Sequence, residues 1–186
     1  ESKNAVDVWD ALAEHMPMTA LVRNLAKMTA VGLFKPMGEA TKRAAAQLAD
    51  AEAIRKARLH PMTALVALKT YDQGHGDKGS LAWTPVREIV DALNDAFYLA
   101  FDAIEPTGKN HLLALDVSGS MSAAIAGMPI SCRDATAVLA MVTARAEKNW
   151  HVVAFQNRLT PLAISPKQRL DDVIRTISGL SFGGTD

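Results

Sequence analysis

The apolar residues of this 186-residue chain change their spacing once, near Ile104, and that change restricts its architecture more than any other feature. Up to that point they recur every three or four positions, the period of one helix face. Val8, Trp9, Leu12 and Met16 mark a helix over Ala5 to Met16, and Pro17 interrupts it. Leu21, Leu25 and Met28 resume the period until Gly32 stops it, with Arg23 and Lys27 four apart on a separate face. The alanine-rich stretch Ala40 to Ala57 predicts one or two further helices. Pro61 suits the first turn of another, with Leu65 and Leu68 inward. Residues 74–80 read as a loop on composition. Thr84-Pro85 reads as an N-cap and first-turn proline opening a helix through Val86, Ile89, Leu93, Phe97 and Phe101. Short helices in succession predict a helical-repeat array.

Beyond Glu105-Pro106-Thr107-Gly108-Lys109 the pattern becomes strand, loop, helix, strand. Leu112 to Leu115 and Trp150 to Phe155 are short apolar runs of the kind buried parallel strands show, and Leu159 to Ile164 suggests a third. Ala135 to Arg145, with Val138, Leu139 and Val142 on one face, and Pro166 to Ile177 predict helices. The expectation is two domains, helical repeats over 1–105 and the start of an α/β doubly wound sheet over 106–186. Three strands do not complete such a sheet, residue 1 is not methionine, and residue 186 falls in a glycine-rich stretch. The sequence is therefore expected to be a piece of a longer protein.

Composition sets the limits. Half of the residues are hydrophobic (49%), enough for a core and too many for a disordered chain. No apolar run approaches the roughly 20 residues of a spanning helix, so no membrane role is expected. One cysteine, Cys132, cannot pair internally and suits a reducing, cytoplasmic setting. The formal net charge of +0 speaks against indiscriminate coating of nucleic acid. Yet the charge is uneven. Ala20 to Ser80 holds ten basic side chains against five acidic ones, and Ala53 to Thr70 holds no acid at all. A solvated helical surface is the ordinary explanation of such a run.

Asp116-Val117-Ser118-Gly119-Ser120 follows the first strand at the edge where open α/β sheets bind ligands. A carboxylate and two hydroxyls at alternate residues can converge on a hard cation such as Mg²⁺, with Ser118 and Ser120 direct and Asp116 through water. The same pentad also suits a polar turn at a strand end. Trp9, Trp83 and Trp150 stand alone and are expected to pack rather than stack bases, and His111 and His151 to be structural. No nucleophile elbow, Walker loop or zinc-spaced cluster is present.

The pentad between strand and helix, with Gly183-Gly184-Thr185 after a later helix, resembles the von Willebrand factor A domain and its metal-ion-dependent adhesion site. The resemblance implies a divalent cation, Mg²⁺, held by Asp116, Ser118, Ser120 and Thr185, plus an aspartate from a third loop that is not Asp186. Residues 8–12 and 16–25, Lys56 to Pro61, Thr70 to Gly76, Ala96-Phe97-Tyr98 and Glu105 to Lys109 resemble the Ro, or TROVE-domain, proteins. That family implies α-helical HEAT-like repeats followed by an α/β von Willebrand factor A-type domain, truncated here. It also implies a non-catalytic RNA-binding scaffold for small noncoding Y RNAs and single-stranded 3′ ends of misfolded RNAs, with an exoribonuclease as a further partner and no DNA role. A basic ring lining needs local positive charge only. The candidates for phosphate contacts are Arg23, Lys27, Lys56, Arg58, His60, Lys69 and His75, each equally an ordinary solubilising residue. Two other readings stand beside this one. One is a protein-binding module whose cation captures an acidic partner side chain. The last is a metal-dependent phosphatase or nuclease, which lacks a second acid in the pentad.

Overall fold

The structure, a computed structural model, describes residues 5–77, 79–155 and 158–180. It divides into two compact units, one of residues up to Ala103 with Gly127–Pro129, the other of Ile104–Ala126 and the chain from Ile130. No described helix is long and apolar enough to cross a membrane.

The first unit is helical: α1 (Ala5–Ala13), α2 (Met18–Ala30), α3 (Glu39–Leu48), α4 (Ala51–Lys56), α5 (Pro61–Asp72) and α6 (Arg87–Leu99), ending in a 3₁₀ turn (Ala100–Ala103). Its core is the periodic set seen in the sequence. Leu21, Leu25, Met28, Leu65, Ile89, Leu93 and Phe97 are all buried, joined by Leu48 and Ile54, which the apolar spacing does not single out. Each such side chain contributes about 1.5–3 kcal/mol on leaving water. A buried polar knot joins three helices. The Tyr71 hydroxyl lies 2.8 Å from Thr29 Oγ1, and the Val86 N–H donates to it at 3.3 Å. Trp83 Nε1 donates to the Tyr71 carbonyl at 2.8 Å, and its ring stacks on Tyr71.

That knot explains one departure from the expected helices. Thr84 is not a cap and Pro85 is not in the first turn, because α6 starts at Arg87 with Val86 as its N-cap. Trp83 N–H donates to the Gly74 carbonyl and Ala82 bridges to His75, so residues 82–86 run extended along the preceding loop. A second departure is α1, where Val8 and Leu12 are about half exposed. This helix lies against α2 and is tied to α3 by an exposed Arg43–Asp10 ion pair, and its apolar stripe is only partly covered among the described residues.

The second unit contains β1 (Asn110–Asp116), a 3₁₀ turn (Gly119–Ser122), α7 (Cys132–Ala146), β2 (Asn149–Phe155), β3 (Leu159–Pro161) and α8 (Leu170–Ser178). β1 pairs with β2 in parallel, from Asn110↔Asn149 to Asp116↔Phe155, and β3 pairs antiparallel to β2. β1 is less buried than its apolar run suggested. Its inward residues end at Leu115, while Leu112 is 71% exposed, so one face of the strand is open among the described residues. α7 starts earlier than expected because Ser131 and Asp134 form a reciprocal capping box. Its buried face is Ala137, Val138, Ala140, Met141 and Ala144, and Leu139 points to solvent. β3 stops at Pro161 rather than Ile164. α8 begins at Leu170 rather than Pro166, since Ser165 and Gln168 exchange hydrogen bonds in a turn.

Candidate functional site

The chain offers two sets of polar residues that no packing role consumes, one in each unit. In the helical unit, Arg23 and Lys27 extend from the face of α2 opposite Leu21, Leu25 and Met28, and both are exposed. Arg23 borders a groove of about 380 Å³ between α2 and α5, whose wall is apolar and includes Ala26, Met62, Val66 and Ala67. Lys56 ends α4, Arg58 follows it, and Lys69 lies in the last turn of α5; all three are exposed.

These five cations are distinguished by what they lack. Lys42, Arg43 and Arg55 in the same unit are engaged by Glu39, Asp10 and Glu52. The side chains of Arg23, Lys27, Lys56, Arg58 and Lys69 make no ion pair or hydrogen bond among the described residues. Lys35 is likewise exposed and unpaired. It was missed because it stands alone in sequence, and its exposure follows from a turn pinned on both sides by Thr41. The Lys35 N–H donates to Thr41 Oγ1 at 3.0 Å, and that hydroxyl donates to the Lys35 carbonyl at 2.7 Å.

The two histidines differ from the cations. His60 is half-buried and caps α5, its Nδ1 accepting the Met62 N–H at 3.1 Å. His75 is exposed, with its backbone paired to Ala82 and its carbonyl held by Gln73 Nε2 at 2.7 Å. The candidates do not meet in one pocket. Lys56, Arg58 and His60 lie at the start of α5, and Lys69 and His75 at its other end, about 18 Å away for a helix of this length.

In the second unit, the pentad sits where β1 ends, as a turn between the strand and the 3₁₀ segment Gly119–Ser122. Asp116 Oδ1 accepts the Ser118 N–H at 2.8 Å, which folds the loop back on the carboxylate. The Ser118 and Ser120 hydroxyls then lie 2.9 Å apart, Ser118 buried at 3% and Ser120 exposed. Adjacent oxygens in an Mg²⁺ octahedron with bonds near 2.1 Å are separated by about 3 Å. The hydroxyl pair therefore fits one edge of such a shell, and the donor set is hard oxygen throughout. A side chain at Gly119 would meet nothing within 4 Å, so the loop is open to solvent there. Thr185 lies outside the described residues. Among the described residues no group of three or more His, Cys, Asp or Glu is placed to hold a metal.

One polar cluster was not foreseen. The Glu147 carboxylate, 9% exposed just after α7, accepts the Thr107 N–H at 2.7 Å, the Thr107 hydroxyl at 2.7 Å and the Gly108 N–H at 3.1 Å. His111 Nε2 lies 3.3 Å from it. The Thr107 amide and then its hydroxyl hold this carboxyl below the usual carboxylate range. The conspicuous string Glu105 to Lys109 was the only signal, and its partner lies 40 residues on. His111 is structural here, as expected.

A helical array in one unit, and in the other an α/β sheet whose first strand ends in an Asp-x-Ser-x-Ser loop, define a two-part protein of helical repeats and a von Willebrand factor A-type domain. The profile of the TROVE domain matches residues 1–70, and that of the Ro60 von Willebrand factor A domain matches residues 110–186. The "RNA-binding protein RO60" of Caenorhabditis elegans is 43% identical over 188 residues, a match covering 100% of this chain and 29% of that protein. The protein of the same name from Deinococcus radiodurans is 38% identical, covering 97% and 34%. The crystal structure of the Deinococcus radiodurans Ro (RSR) protein superimposes with a TM-score of 0.88 at 37% identity, over 96% of this chain and 37% of that one. The chain belongs to the Ro family of TROVE-domain proteins. It spans about a third of the length of the relatives it matches.

Proposed function

We propose that the protein containing this chain is a non-catalytic RNA-binding scaffold of the Ro type. Its ligands would be small noncoding Y RNAs and the single-stranded 3′ ends of misfolded noncoding RNAs, and its role cytoplasmic RNA quality control alongside an exoribonuclease. The observation that carries the reading is the joint one. Relatives named as RNA-binding proteins align over nearly all of the chain, and its helical unit displays cations that no acid neutralises among the described residues. Unpaired Arg and Lys on a helical surface suit phosphate contacts, which supply affinity without reading bases. Candidate RNA contacts are Arg23, Lys27, Lys56, Arg58, His60, Lys69 and His75, with Lys35 added from the structure.

The second reading is a metal-dependent protein-binding module, favoured by the hydroxyl pair of the strand-end loop. Asp116, Ser118, Ser120 and Thr185 would hold a divalent cation, Mg²⁺, whose chemistry is to offer open coordination positions to a partner's carboxylate. The two readings occupy different units and are separable. The intact protein is titrated against a labelled RNA hairpin with a single-stranded 3′ tail, with Mg²⁺ or with EDTA. RNA affinity that falls with salt and is indifferent to EDTA supports the scaffold. No binding to such RNA, together with EDTA-sensitive capture of an acidic peptide, would leave only the second reading.

A further inference from the structure

Helix α4 ends in a tight, fully bonded Schellman turn. The Arg58 N–H donates to the Arg55 carbonyl at 3.0 Å, the Leu59 N–H donates to the Ile54 carbonyl at 3.1 Å, and Leu59 and Ile54 are both buried. This geometry places Arg58 in the left-handed region, with φ of 49°. Side chains with a Cβ are strained there, and glycine is the usual occupant. The same unit uses glycine at the same position twice. Gly32 (φ 86°) closes α2 and Gly74 (φ 77°) closes α5. At the end of α4 the chain instead carries a strained arginine that is exposed and whose guanidinium makes no ion pair or hydrogen bond among the described residues.

Along the neighbouring sequence no free acid stands beside that charge. From Ala53 to Thr70 there is no acid, and the acid before this stretch, Glu52, is engaged by Arg55. Lys56, two residues before Arg58, is exposed, and its side chain is unpaired among the described residues. His60, two residues after it, accepts the Met62 N–H through Nδ1, which in the neutral ring leaves the proton on Nε2 as a further donor. Lys56, Arg58 and His60 thus bring three cationic or donor groups into five residues of one corner, and the middle one is kept against its backbone preference. We infer that the α4–α5 corner is an anion site for the phosphodiester backbone of single-stranded RNA, with Arg58 as its principal contact. The site deepens the RNA-binding reading and rests on it.

Arg58→Gly separates the explanations, because it relieves the strain and removes the cation together. One lost phosphate contact on a single strand flattens the slope of log affinity against log salt by about 0.7. This corresponds to about fourfold weaker binding near 0.15 M salt and about eightfold near 0.05 M. Anisotropy of a fluorescein-labelled oligouridine on the intact protein should show both effects, with the thermal midpoint unchanged or raised. Arg58→Lys, still strained but charged, should retain most of the affinity and the slope, and Arg58→Asn should behave as Arg58→Gly. Wild-type protein that binds the RNA while Arg58→Gly matches it in affinity and slope overturns the assignment and spares the RNA reading. Wild-type protein that binds no RNA overturns that reading, and the corner falls with it.

Discussion

Paired and unpaired cations give the RNA reading a test that net charge alone cannot mimic. Arg23 and Lys27 are exposed on α2 and their side chains have no partner among the described residues, whereas Arg43 and Arg55 are exposed but engaged by Asp10 and Glu52. Replacing either pair with alanine changes the formal charge of the chain by the same two units. If Arg23 and Lys27 each neutralise a phosphate on a single strand, their removal flattens the salt slope by about 1.4. The same contacts are worth about 14-fold in affinity near 0.15 M salt. Arg43→Ala with Arg55→Ala should leave the slope within about 0.3 of wild type, since both guanidinium groups are held by acids rather than offered to phosphate. That pair should leave the thermal midpoint nearly unchanged, because exposed ion pairs add little to stability. The assay is fluorescence anisotropy of a tailed RNA at several salt concentrations, with circular dichroism to check folding. Equal flattening by the two double variants would mean that bulk charge, not these side chains, governs binding. No flattening by Arg23→Ala with Lys27→Ala would remove α2 from the surface.

Two further outcomes concern the scaffold beneath these surfaces. Tyr71→Phe deletes the hydroxyl of a buried residue and orphans the Val86 N–H, so denaturant unfolding should show a loss of about 1–2 kcal/mol. Adding Thr29→Val should cost less than the sum of the two single changes, because both ends of the 2.8 Å contact are then gone, and additive costs would contradict a shared bond. Burial pushes the Tyr71 phenol up, so its folded value exceeds its unfolded one. Stability is therefore retained below the ordinary phenol range and lost as pH rises through it, and Tyr71→Phe should lessen that alkaline decline. Glu147 runs the other way. Its depressed value means that its contribution is present above about 4.5 and fades as pH falls through the folded value. Glu147→Gln should destabilise the second unit at neutral pH and flatten the acid limb of its unfolding curve, whereas an unchanged acid limb would deny the carboxylate its hold on Thr107 and Gly108.

The division between what was readable in the sequence and what was not follows the range of the forces involved. Leu21, Leu25, Met28, Ile89, Leu93 and Phe97 lie in the core as their spacing implied, because burial of a periodic stripe is decided within one helix. The strings that suggested the Ro family lie inside the segments that the TROVE and Ro60 profiles match, or between them. Expectations failed where a distant partner overrode a local preference. Thr84-Pro85 lost the helix start to the Tyr71 and Gly74 contacts, and Ser131 with Asp134 extended α7 beyond its apolar period. The same reasoning applies to charge. Ten basic residues between Ala20 and Ser80 look alike as letters, but Arg43 meets an acid 33 residues away while Arg23 meets none among the described residues. A net charge of +0 hides that distinction completely, since a paired and an unpaired arginine count equally toward it. What a polyanion meets is the unpaired subset, and that subset is a property of the fold. An arginine held at a glycine position, as at Arg58, is then informative for the opposite reason to a core leucine: it persists against the local energy of its backbone, and the explanation must lie outside the turn.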